Sequence, residues 1–419
     1  MKILVDCGGY LNFGDISMLE GATLRLLHVL PQAEISVTYR AFDTVLWDMP
    51  EITKQPEYNM RPGIENIFAS LFREKSSAAT ARIVLPFLGS LLSANSVPLS
   101  VNGKLMSAGE FCEHFDALHL SGGGYLTDTF YIQLLRKCCL ILAFTEQSKP
   151  VVLTGQQIGP FRSRFSKSPL LRALRAASFV GLRDPADSLT MCQSANLPMD
   201  SYEVMGDDSF GLPPVDDMVV ARVLSDYGLN PRGFIGLNVR RNRRYNPLEL
   251  QQLHEIGELV DKIADRLKMP VLIVPIAYDP VEGDLVTGEE MTKYINSATT
   301  LMLDHKNLTP ALIKGVLSQA FGALGVSYHF CMFALSGGVP TICIYDGRYY
   351  SQKARSLCVF WRDERLALSL DNVQINSAAE HILNIFEDNR LRSKLSLNSQ
   401  QAAVRWRDVF DRRVNQFFI

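Results

Sequence analysis

The chain has 419 residues, more than a single hydrophobic core usually holds, so we expect two domains of similar size. Lys plus Arg (42) nearly balance Asp plus Glu (44), which leaves a formal net charge of -2. This balance excludes a general electrostatic attraction to nucleic acid or to an anionic membrane, so any anion must be bound locally. The eight cysteines show no CxxC pair and no zinc-ligand spacing, which favours a reducing cytoplasm and no structural metal.

The first residues predict a β-strand rather than a targeting segment. Residues 1–6 are too short and too soon acidic for the apolar core of a secretory signal, so we expect a cytoplasmic protein. Residues 83–103 carry no charge for about the length of a membrane span, but Pro86, Pro98 and several small polar residues interrupt them. We interpret this stretch as buried or lining a cleft, with peripheral contact to the inner face of the membrane as a lesser alternative.

The first half of the chain alternates short Val/Ile/Leu-rich runs with stretches of helical length, which is typical of βα units and parallel sheets. The predicted strands are residues 3–5, 35–39, 117–120, 151–154 and 179–182. The predicted helices lie near 16–30, 128–147 and 168–177. The region 40–110 shows no regular pattern. Gly- and Pro-rich residues at 211–214 and 230–233, with one short helical stretch between them, predict a domain boundary.

The second half repeats the alternation. The predicted strands are 234–239, 271–276, 323–326 and 341–345, and the predicted helices lie near 247–268 and 310–321. We therefore expect an α/β fold with Rossmann-like domains at 1–211 and 232–376. Residues 377–419 are expected to be helical, with packing back onto the first domain as one option.

Four segments have the form of a strand end that turns into a helix, where free N–H groups attract anions. They are residues 7–15, 121–128, 155–161 and 327–329. Any one could be only a tight connection, and Asp15 and Asp128 could be helix caps or catalysts. None has the GxGxxG or Walker spacing, which argues against dinucleotides and ATP hydrolysis. The candidate binding residues in these segments are Asn12, Gly14, Gly122, Gly123, Gly124, Asp128, Gln156, Ser327 and Tyr328.

The segment around His329 carries the clearest chemistry. Ser327 is expected to cap a short apolar helix that ends at Gly337, which places His329 in the first turn of a buried helix. There the imidazole could gain a proton together with a bound phosphate and later pass it on. The alternative is a neutral histidine hydrogen-bonded within the core.

Arginines are the other candidate anion ligands, because the guanidinium group matches phosphate and carboxylate. Arg183 directly follows a predicted strand, although an ion pair with Asp184 or Asp187 would also explain it. Four arginines follow the strand at 234–239 and would repel one another unless an anion compensates, with a solvated loop as the alternative. They are Arg240, Arg241, Arg243 and Arg244. Residues 345–353 add aromatic faces that suit sugars, with Arg348 and Lys353.

An ordered set of motifs runs over nearly the whole chain. These are Asn12-x-Gly14-Asp15, Gly122-Gly123-Gly124, Gly155-Gln156-x-Ile158-Gly159-Pro160, Leu182-Arg183-Asp184, Gly206-Asp207-Asp208-Ser209-Phe210 and x-x-His329. In this order and spacing the chain resembles the polysaccharide pyruvyltransferase family. The resemblance implies a fold similar to glycosyltransferase type B (GT-B), with two Rossmann-like domains facing across a cleft. It also implies transfer of pyruvate from phosphoenolpyruvate to hydroxyls of a sugar, forming a ketal during exopolysaccharide or cell-envelope biosynthesis.

The resemblance also implies roles for particular residues. Arg183 would grip the donor and His329 would act as the acid. Many members have Arg two residues before this histidine, whereas this chain has Ser327, so that donor contact is either absent or supplied by Arg240, Arg241 or Lys353. From the chemistry of the residues themselves, we add the hypothesis that the Gly122–Gly124 segment and the helix start at Ser327 supply backbone donors, and that Asp15 or Asp128 orients or deprotonates the acceptor. The expected partners are phosphoenolpyruvate as donor substrate, with no cofactor, and a sugar or lipid-linked glycan.

Two other functions remain open. A nucleotide-sugar glycosyltransferase has the same architecture, and its diphosphate would occupy the arginine cluster. A non-catalytic member of the family would bind the ligand without turnover, since Ser327 replaces a cation.

Overall fold

The computed structural model describes most of the chain. The described residues are 1–8, 12–39, 44–60, 93–162, 164–242, 248–279, 283–304, 308–371 and 373–419. Arg243, Arg244 and residues 83–92 of the uncharged stretch lie outside the described residues. The chain divides into two compact units. Unit 1 comprises Met1–Tyr10, Met18–Gly211 and Arg405–Ile419, and unit 2 comprises Leu11–Ser17 and Leu212–Val404.

Unit 1 contains an eight-stranded parallel sheet and a small three-stranded antiparallel sheet. Its strands are β1 (Lys2–Asp6), β2 (Glu34–Tyr39), β3 (Ile52–Pro56), β4 (Tyr58–Met60), β5 (Pro98–Val101), β6 (Lys104–Ser107), β7 (Ala117–Leu120), β8 (Gly123–Leu126), β9 (Val151–Ile158), β10 (Phe179–Leu182) and β11 (Tyr202–Val204). The large sheet has the order β11-β10-β9-β7-β1-β2-β3, with β8 paired to β9, and β4-β5-β6 form the antiparallel sheet.

The helices of unit 1 follow from its βα pattern. They are α1 (Phe13–Val29), whose first turn belongs to unit 2, α2 (Ala108–Glu113), α3 (Tyr131–Glu146), α4 (Arg164–Ala176) and α5 (Asp187–Ser194). Strands β7, β9 and β10 are buried along their whole length. Strands buried on both faces are expected where a parallel sheet is covered on both sides. The apolar residues of β7, β10 and the first half of β9 made these strands recognisable in the sequence.

Unit 2 contains a six-stranded parallel sheet. Its strands are β12 (Ile235–Asn238), β13 (Val271–Ile273), β14 (Thr300–Met302), β15 (Gly322–Gly325), β16 (Thr341–Tyr345) and β17 (Ala367–Ser369), in the order β14-β13-β12-β15-β16-β17. Its helices are α6 (Asp217–Asp226), α7 (Leu250–Leu267), α8 (Asp284–Met291), α9 (Pro310–Ser318), α10 (Tyr328–Ser336), α11 (Gly347–Trp361), α12 (Ile375–Phe386) and the first part of α13 (Asn389–Phe418).

In both large sheets, the side on which the chain adds successive strands reverses at the first strand. The chain builds β1, β2 and β3 outward on one side and then returns to add β7 on the other side of β1. Unit 2 repeats this order with β12, β13 and β14, followed by β15 beside β12. In open α/β sheets, ligands bind at the carboxyl ends of the strands at this reversal. The topology therefore directs attention to the ends of β1 and β7, and of β12 and β15.

The predicted strands and helices named above are confirmed, with their ends shifted by a few residues. Two of the predicted turns, 121–128 and 155–161, are wrong over part of their length. Residues 155–158 continue the buried strand β9, and Gly123–Leu126 form β8 rather than a loop. Both segments contain glycine, which predicted turns, but pairing between β8 and β9 makes them part of the sheet.

The end of the chain contributes to the core of unit 1. Trp406, Phe410 and Val414 of α13 are buried in a cluster with β1, β2 and β9 residues such as Val5 and Val152. Residues 377–419 were predicted to be helical. Of these residues, Arg405–Ile419 belong to unit 1, and those before Arg405 belong to unit 2. In the part of the chain that the structure describes, no helix combines the length and the apolar character that a membrane crossing requires.

Candidate functional site

His329 lies in the first turn of α10 at the sheet reversal of unit 2. It is 6% exposed, and its ring makes an edge contact with Tyr328, with the ring centroids 5.2 Å apart. Ser327 occupies the N-cap position as predicted, but among the described residues its side chain makes no capping hydrogen bond. Its backbone N–H donates instead to Oδ1 of Asn238 at 3.0 Å. The helix end at Gly337 is confirmed. His329 is therefore held in a buried helix start whose backbone is tied to β12.

The imidazole of His329 rests against the backbone of Gly14. A Cβ atom added to Gly14 would lie 2.6 Å from the Cβ of His329 and closer still to its Nδ1 and Cγ atoms. Only glycine leaves room for the ring, so the Asn12-x-Gly14-Asp15 motif and His329 form one structural feature. In the sequence these residues are more than 300 positions apart.

Asn12 caps helix α1. Its Oδ1 accepts from Gly14 N–H at 2.8 Å, and its backbone carbonyl accepts from Ile16 N–H at 3.0 Å. The expectation that Asp15 caps this helix is wrong, because Asp15 lies inside the first turn and Asn12 takes that role. Asp15 is half-buried.

The segment that carries Gly14 is itself attached to the residues that follow β13. Phe13 N–H donates to the carbonyl of Ile276 at 2.8 Å, and Asn12 forms an antiparallel bridge with Ala277. The rings of Phe13 and Tyr278 meet edge to face, with their centroids 4.9 Å apart. These contacts fix the height of Gly14 beneath the imidazole.

Asp284 is a buried acceptor beside this segment. Its two oxygens accept from Nε and Nη2 of Arg240 at 2.8 and 2.9 Å. Oδ2 also accepts from Nδ2 of Asn238 at 2.8 Å and from the N–H groups of Ile276 and Ala277 at 2.9 and 3.1 Å. Arg240 and Asp284 are 5% and 1% exposed. In this structure the anion that compensates Arg240 is thus a carboxylate of the chain itself.

The other predicted cations that the structure describes in unit 2 are more accessible. Arg241 pairs with Glu290, with 3.7 Å between Nη1 and Oε2. Arg348 is exposed in the first turn of α11. The Lys353 ammonium lies 4.3 Å from the centroid of the Tyr349 ring, which is a cation–π contact. Contact of these three side chains with an anionic ligand remains a prediction.

The glycine-rich segment of unit 1 is attached to Asp208. Gly122 N–H donates to Oδ2 of Asp208 at 2.7 Å, so this backbone donor already has an acceptor within the chain. Gly123 and Gly124 belong to β8, where Gly123 pairs with Gln156. The segment is therefore bound into the sheet, and the predicted contact with a ligand remains a prediction.

Asp208 has further donors. Thr154 Oγ1 donates to Oδ2 at 2.6 Å, and Nε1 of Trp406 donates to Oδ1 at 2.8 Å. Burial nevertheless raises the pKa of Asp208 to about 7, against the effect of its three hydrogen bonds. Nε2 of His119 lies 3.0 Å from Thr154 Oγ1, and burial lowers the pKa of this histidine to about 3. His119 is therefore neutral near pH 7.

Gln156 and Asp128 also have partners inside unit 1. Nε2 of Gln156 donates to the carbonyls of Ser121 and Thr154, each at 2.9 Å, and to the Tyr125 hydroxyl at 3.0 Å. Oδ2 of Asp128 accepts from the N–H of Arg162 at 2.7 Å. These contacts explain both residues structurally, and their predicted roles at a substrate remain predictions.

Arg183 is buried, and the carboxylate that it faces is neither Asp184 nor Asp187. Its Nη1 lies 3.6 Å from Oδ2 of Asp207, both side chains are 1% exposed, and Nη2 contacts Gln157. Asp184 instead accepts from Ser188 Oγ at 2.7 Å and from Ala186 N–H at 3.0 Å. The ion pair is thus made with the Gly206-Asp207-Asp208 motif, and the donor contact of Arg183 remains a prediction.

Some of the predicted residues come together and others do not. In unit 2 the structure joins Asn12, Gly14, Arg240, Ser327 and His329 in one network. The sequence analysis missed the two side chains that connect them, Asn238 and Asp284. A polar residue at the end of the apolar run 234–239 was a signal for Asn238, whereas nothing in the local sequence indicates the partners of Asp284.

Known proteins were compared with the chain. The family model described as polysaccharide pyruvyl transferase matches residues 12–348. No curated protein matches the sequence.

Solved structures resemble the chain in fold. The S. aureus MnaA-UDP co-structure has a TM-score of 0.58 at 13% identity and covers 96% of this chain and 94% of its own. The UDP-GlcNAc 2-epimerase from Neisseria meningitidis bound to UDP-GlcNAc has a TM-score of 0.55 at 12% identity, covering 99% and 100%. Arabidopsis thaliana UGT89C1 complexed with UDP has a TM-score of 0.59 at 12% identity, covering all of both chains. These likenesses confirm the α/β, GT-B-like fold with two Rossmann-like domains.

Proposed function

The chain belongs to the polysaccharide pyruvyl transferase family, and from this we propose that it transfers pyruvate from phosphoenolpyruvate to two hydroxyls of a sugar. The product is a ketal, and phosphate is released. The acceptor is a sugar within a polysaccharide or a lipid-linked glycan precursor, and phosphoenolpyruvate is a donor substrate, so no cofactor is required.

The reaction needs an acid at the donor. Protonation of the methylene carbon of phosphoenolpyruvate makes a methyl group and an oxocarbenium-like centre at the neighbouring carbon. One sugar hydroxyl adds to that carbon and loses its proton, the carbon–oxygen bond to phosphate breaks, and the second hydroxyl adds. Of the two hydroxyl protons, one replaces the proton that the acid gave to the carbon and the other leaves with phosphate.

His329 is the side chain that we assign to this acid, and its position is the observation that carries the proposal. It lies in the first turn of α10, at the sheet reversal where α/β folds bind ligands, and it is held against Gly14. The N–H groups of a helix start stabilise an anion such as phosphate. A proton donor and an anion-binding end of a helix are therefore adjacent.

The donor has two anionic groups, and Arg240 is already paired with Asp284. We therefore propose that the exposed Arg348 and the neighbouring Lys353 of α11 contact the donor or the sugar. The Tyr349 ring beside Lys353 offers an aromatic face of the kind on which sugars stack. Arg183 keeps its predicted role at the donor only if its variants lose donor affinity beyond their loss of stability.

Phosphate release tests the proposal. The protein is incubated with phosphoenolpyruvate and a panel of glycan acceptors, and free phosphate and the new methyl signal of the ketal are followed. We expect release that requires both substrates. In His329→Gln the rate should fall by about 100-fold or more, because a general acid typically contributes 10²–10⁴-fold.

His381→Gln is the matched control, because this histidine is exposed on α12 of the same unit. It should keep the wild-type rate. Normal turnover in His329→Gln would refute the assignment of the acid. Thermal stabilisation by UDP but not by phosphoenolpyruvate would instead favour a nucleotide-sugar glycosyltransferase, since the similar structures of MnaA and UGT89C1 are complexes with UDP.

A further inference from the structure

We infer that Asp284 is a positioning residue that fixes the imidazole of His329 through two separate connections. This inference rests on the proposed function of His329 and adds a residue that does not contact the substrate. Asp284 is 1% exposed and is the first residue of α8.

The first connection passes through Asn238 at the end of β12. Nδ2 of Asn238 donates to Oδ2 of Asp284 at 2.8 Å and to the carbonyl of Val274 at 3.0 Å. This orientation leaves Oδ1 as the acceptor for Ser327 N–H at 3.0 Å. Because Asn238 is fully buried, its amide cannot turn without losing these bonds. The position of Asp284 thus sets the start of the helix that carries His329.

The second connection passes through the residues that follow β13. Asp284 accepts from the N–H groups of Ile276 and Ala277, and its own N–H donates to the carbonyl of Ala277 at 2.8 Å. The carbonyl of Ile276 in turn accepts from Phe13 N–H at 2.8 Å. This chain of bonds ends at Gly14, on which the imidazole rests. Asp284 therefore sets the surface beneath the ring as well.

Five donors converge on the two oxygens of Asp284, and one side chain among them is the cation Arg240. A buried carboxylate is stable only when it is paired and hydrogen-bonded, so the arginine is needed to keep the charge. The arginine that seemed suited to a donor phosphate is thus committed to the support of His329. This explains why a cation directly after β12 is buried rather than open to a ligand.

Asp284→Asn tests the inference, because the amide keeps the size of the carboxylate but must place an NH₂ group against one of the donors. His329 is observed directly through the Cε1–Hε1 signal of protein labelled with ¹³C-histidine, assigned with His329→Gln. We expect the signal of His329 to move in Asp284→Asn at a fixed pH. The kcat with phosphoenolpyruvate should fall about 10- to 100-fold, as for a misplaced catalytic group, while the KM for phosphoenolpyruvate changes less than about threefold.

Asn238→Ser is the second variant, which cuts only the first connection and serves if Asp284→Asn does not fold. Asp261→Asn is the matched control. Asp261 also binds a loop of unit 2, through the N–H groups of Asn296 and Ser297 at 2.7 Å each. It should leave the His329 signal and kcat unchanged, although it makes the same change from carboxylate to amide at an acceptor of backbone N–H groups.

The position of the His329 signal tests the inference even if the protein shows no turnover of substrate. A His329 signal that coincides with that of the wild type in folded Asp284→Asn or Asn238→Ser would overturn it. A movement of the signal of similar size in Asp261→Asn would also overturn it, since the effect would then be a general loosening of unit 2. Wild-type protein that shows no turnover would refute the proposed function, while the movement of the signal in the variants would still support positioning by Asp284.

Discussion

Replacing Asp208 by Asn should change how the stability of the protein depends on pH. Burial raises the pKa of Asp208 from 3.8 to about 7. Between pH 3.8 and pH 7 the native state therefore holds a proton that the unfolded chain has already released. Stability therefore falls as the pH rises through this window, because ionising the buried group is unfavourable. Between pH 5 and pH 8 the loss for a single group is about 2 to 3 kcal/mol.

Asp208→Asn removes this titration and adds a cost that does not depend on pH. Both oxygens of Asp208 accept from N–H groups, of Gly122 and of Trp406, so the NH₂ of the asparagine must face one donor. That mismatch costs about 1–3 kcal/mol. The variant should be less stable than the wild type at pH 5, and the difference should narrow by about 2 to 3 kcal/mol at pH 8.

Urea unfolding of both proteins at pH 5 and pH 8 measures the difference. The neighbouring Asp207–Arg183 pair is present in both proteins. Asp226→Asn, at an exposed position of α6, controls for the loss of one carboxylate. The difference in stability between this variant and the wild type should be the same at pH 5 and pH 8. A stability difference between wild type and Asp208→Asn that is equal at both pH values would refute the reasoning.

Three further changes test unit 1. Arg183→Met leaves Asp207 buried without its cation and should lower the free energy of unfolding by about 3–5 kcal/mol, measured by urea unfolding. Trp406→Phe replaces the buried indole by a smaller phenyl ring and removes the Nε1–H bond to Asp208, so thermal unfolding should show a loss of about 1–2 kcal/mol or more. Gly155→Ala, at φ +56° and with its new Cβ 2.9 Å from Cγ of Asp208, should cost about 2 kcal/mol or more in the same assay.

Each of these changes has its own control. Gly103→Ala has a similar positive φ of +75° but no atom within 4 Å of the new Cβ, so it should cost only the backbone strain, about 1 kcal/mol. Equal losses in the two alanine variants would contradict the predicted clash. Arg183→Met combined with Asp207→Leu should recover part of the stability, and no recovery would contradict the assigned pair. An unchanged melting temperature in Trp406→Phe would contradict the role of its indole N–H.

The sequence by itself predicted the central strands of both large sheets and several of the helices between them. Strands such as β7 and β10 are short, mostly apolar runs, and the helices between them follow the local pattern, so both kinds of element could be recognised without tertiary information. The position of His329 in the first turn of a buried helix followed from the same local signals. The family resemblance added a function and a fold, and the family and the fold are confirmed by the comparisons.

Glycine misled the prediction where it lies in a strand. Residues 123–126 and 155–158 were expected as loops because glycine permits turns, whereas pairing between two strands distant in sequence places them in the sheet. The pairing partner is not a local property. For the same reason β14 and β17, short strands at the two edges of the sheet of unit 2, were not predicted.

Only the tertiary structure decided which partners the charged and polar groups have. Arg240 follows β12 as predicted, but its anion is Asp284, 44 residues away, and Gly14 owes its identity to an imidazole more than 300 residues away. Charges and hydrogen bonds act between neighbours in space, and folding brings those neighbours from remote parts of the chain. The sequence could therefore place His329 in the first turn of a buried helix, while the residues that hold it in place became visible only in the folded chain.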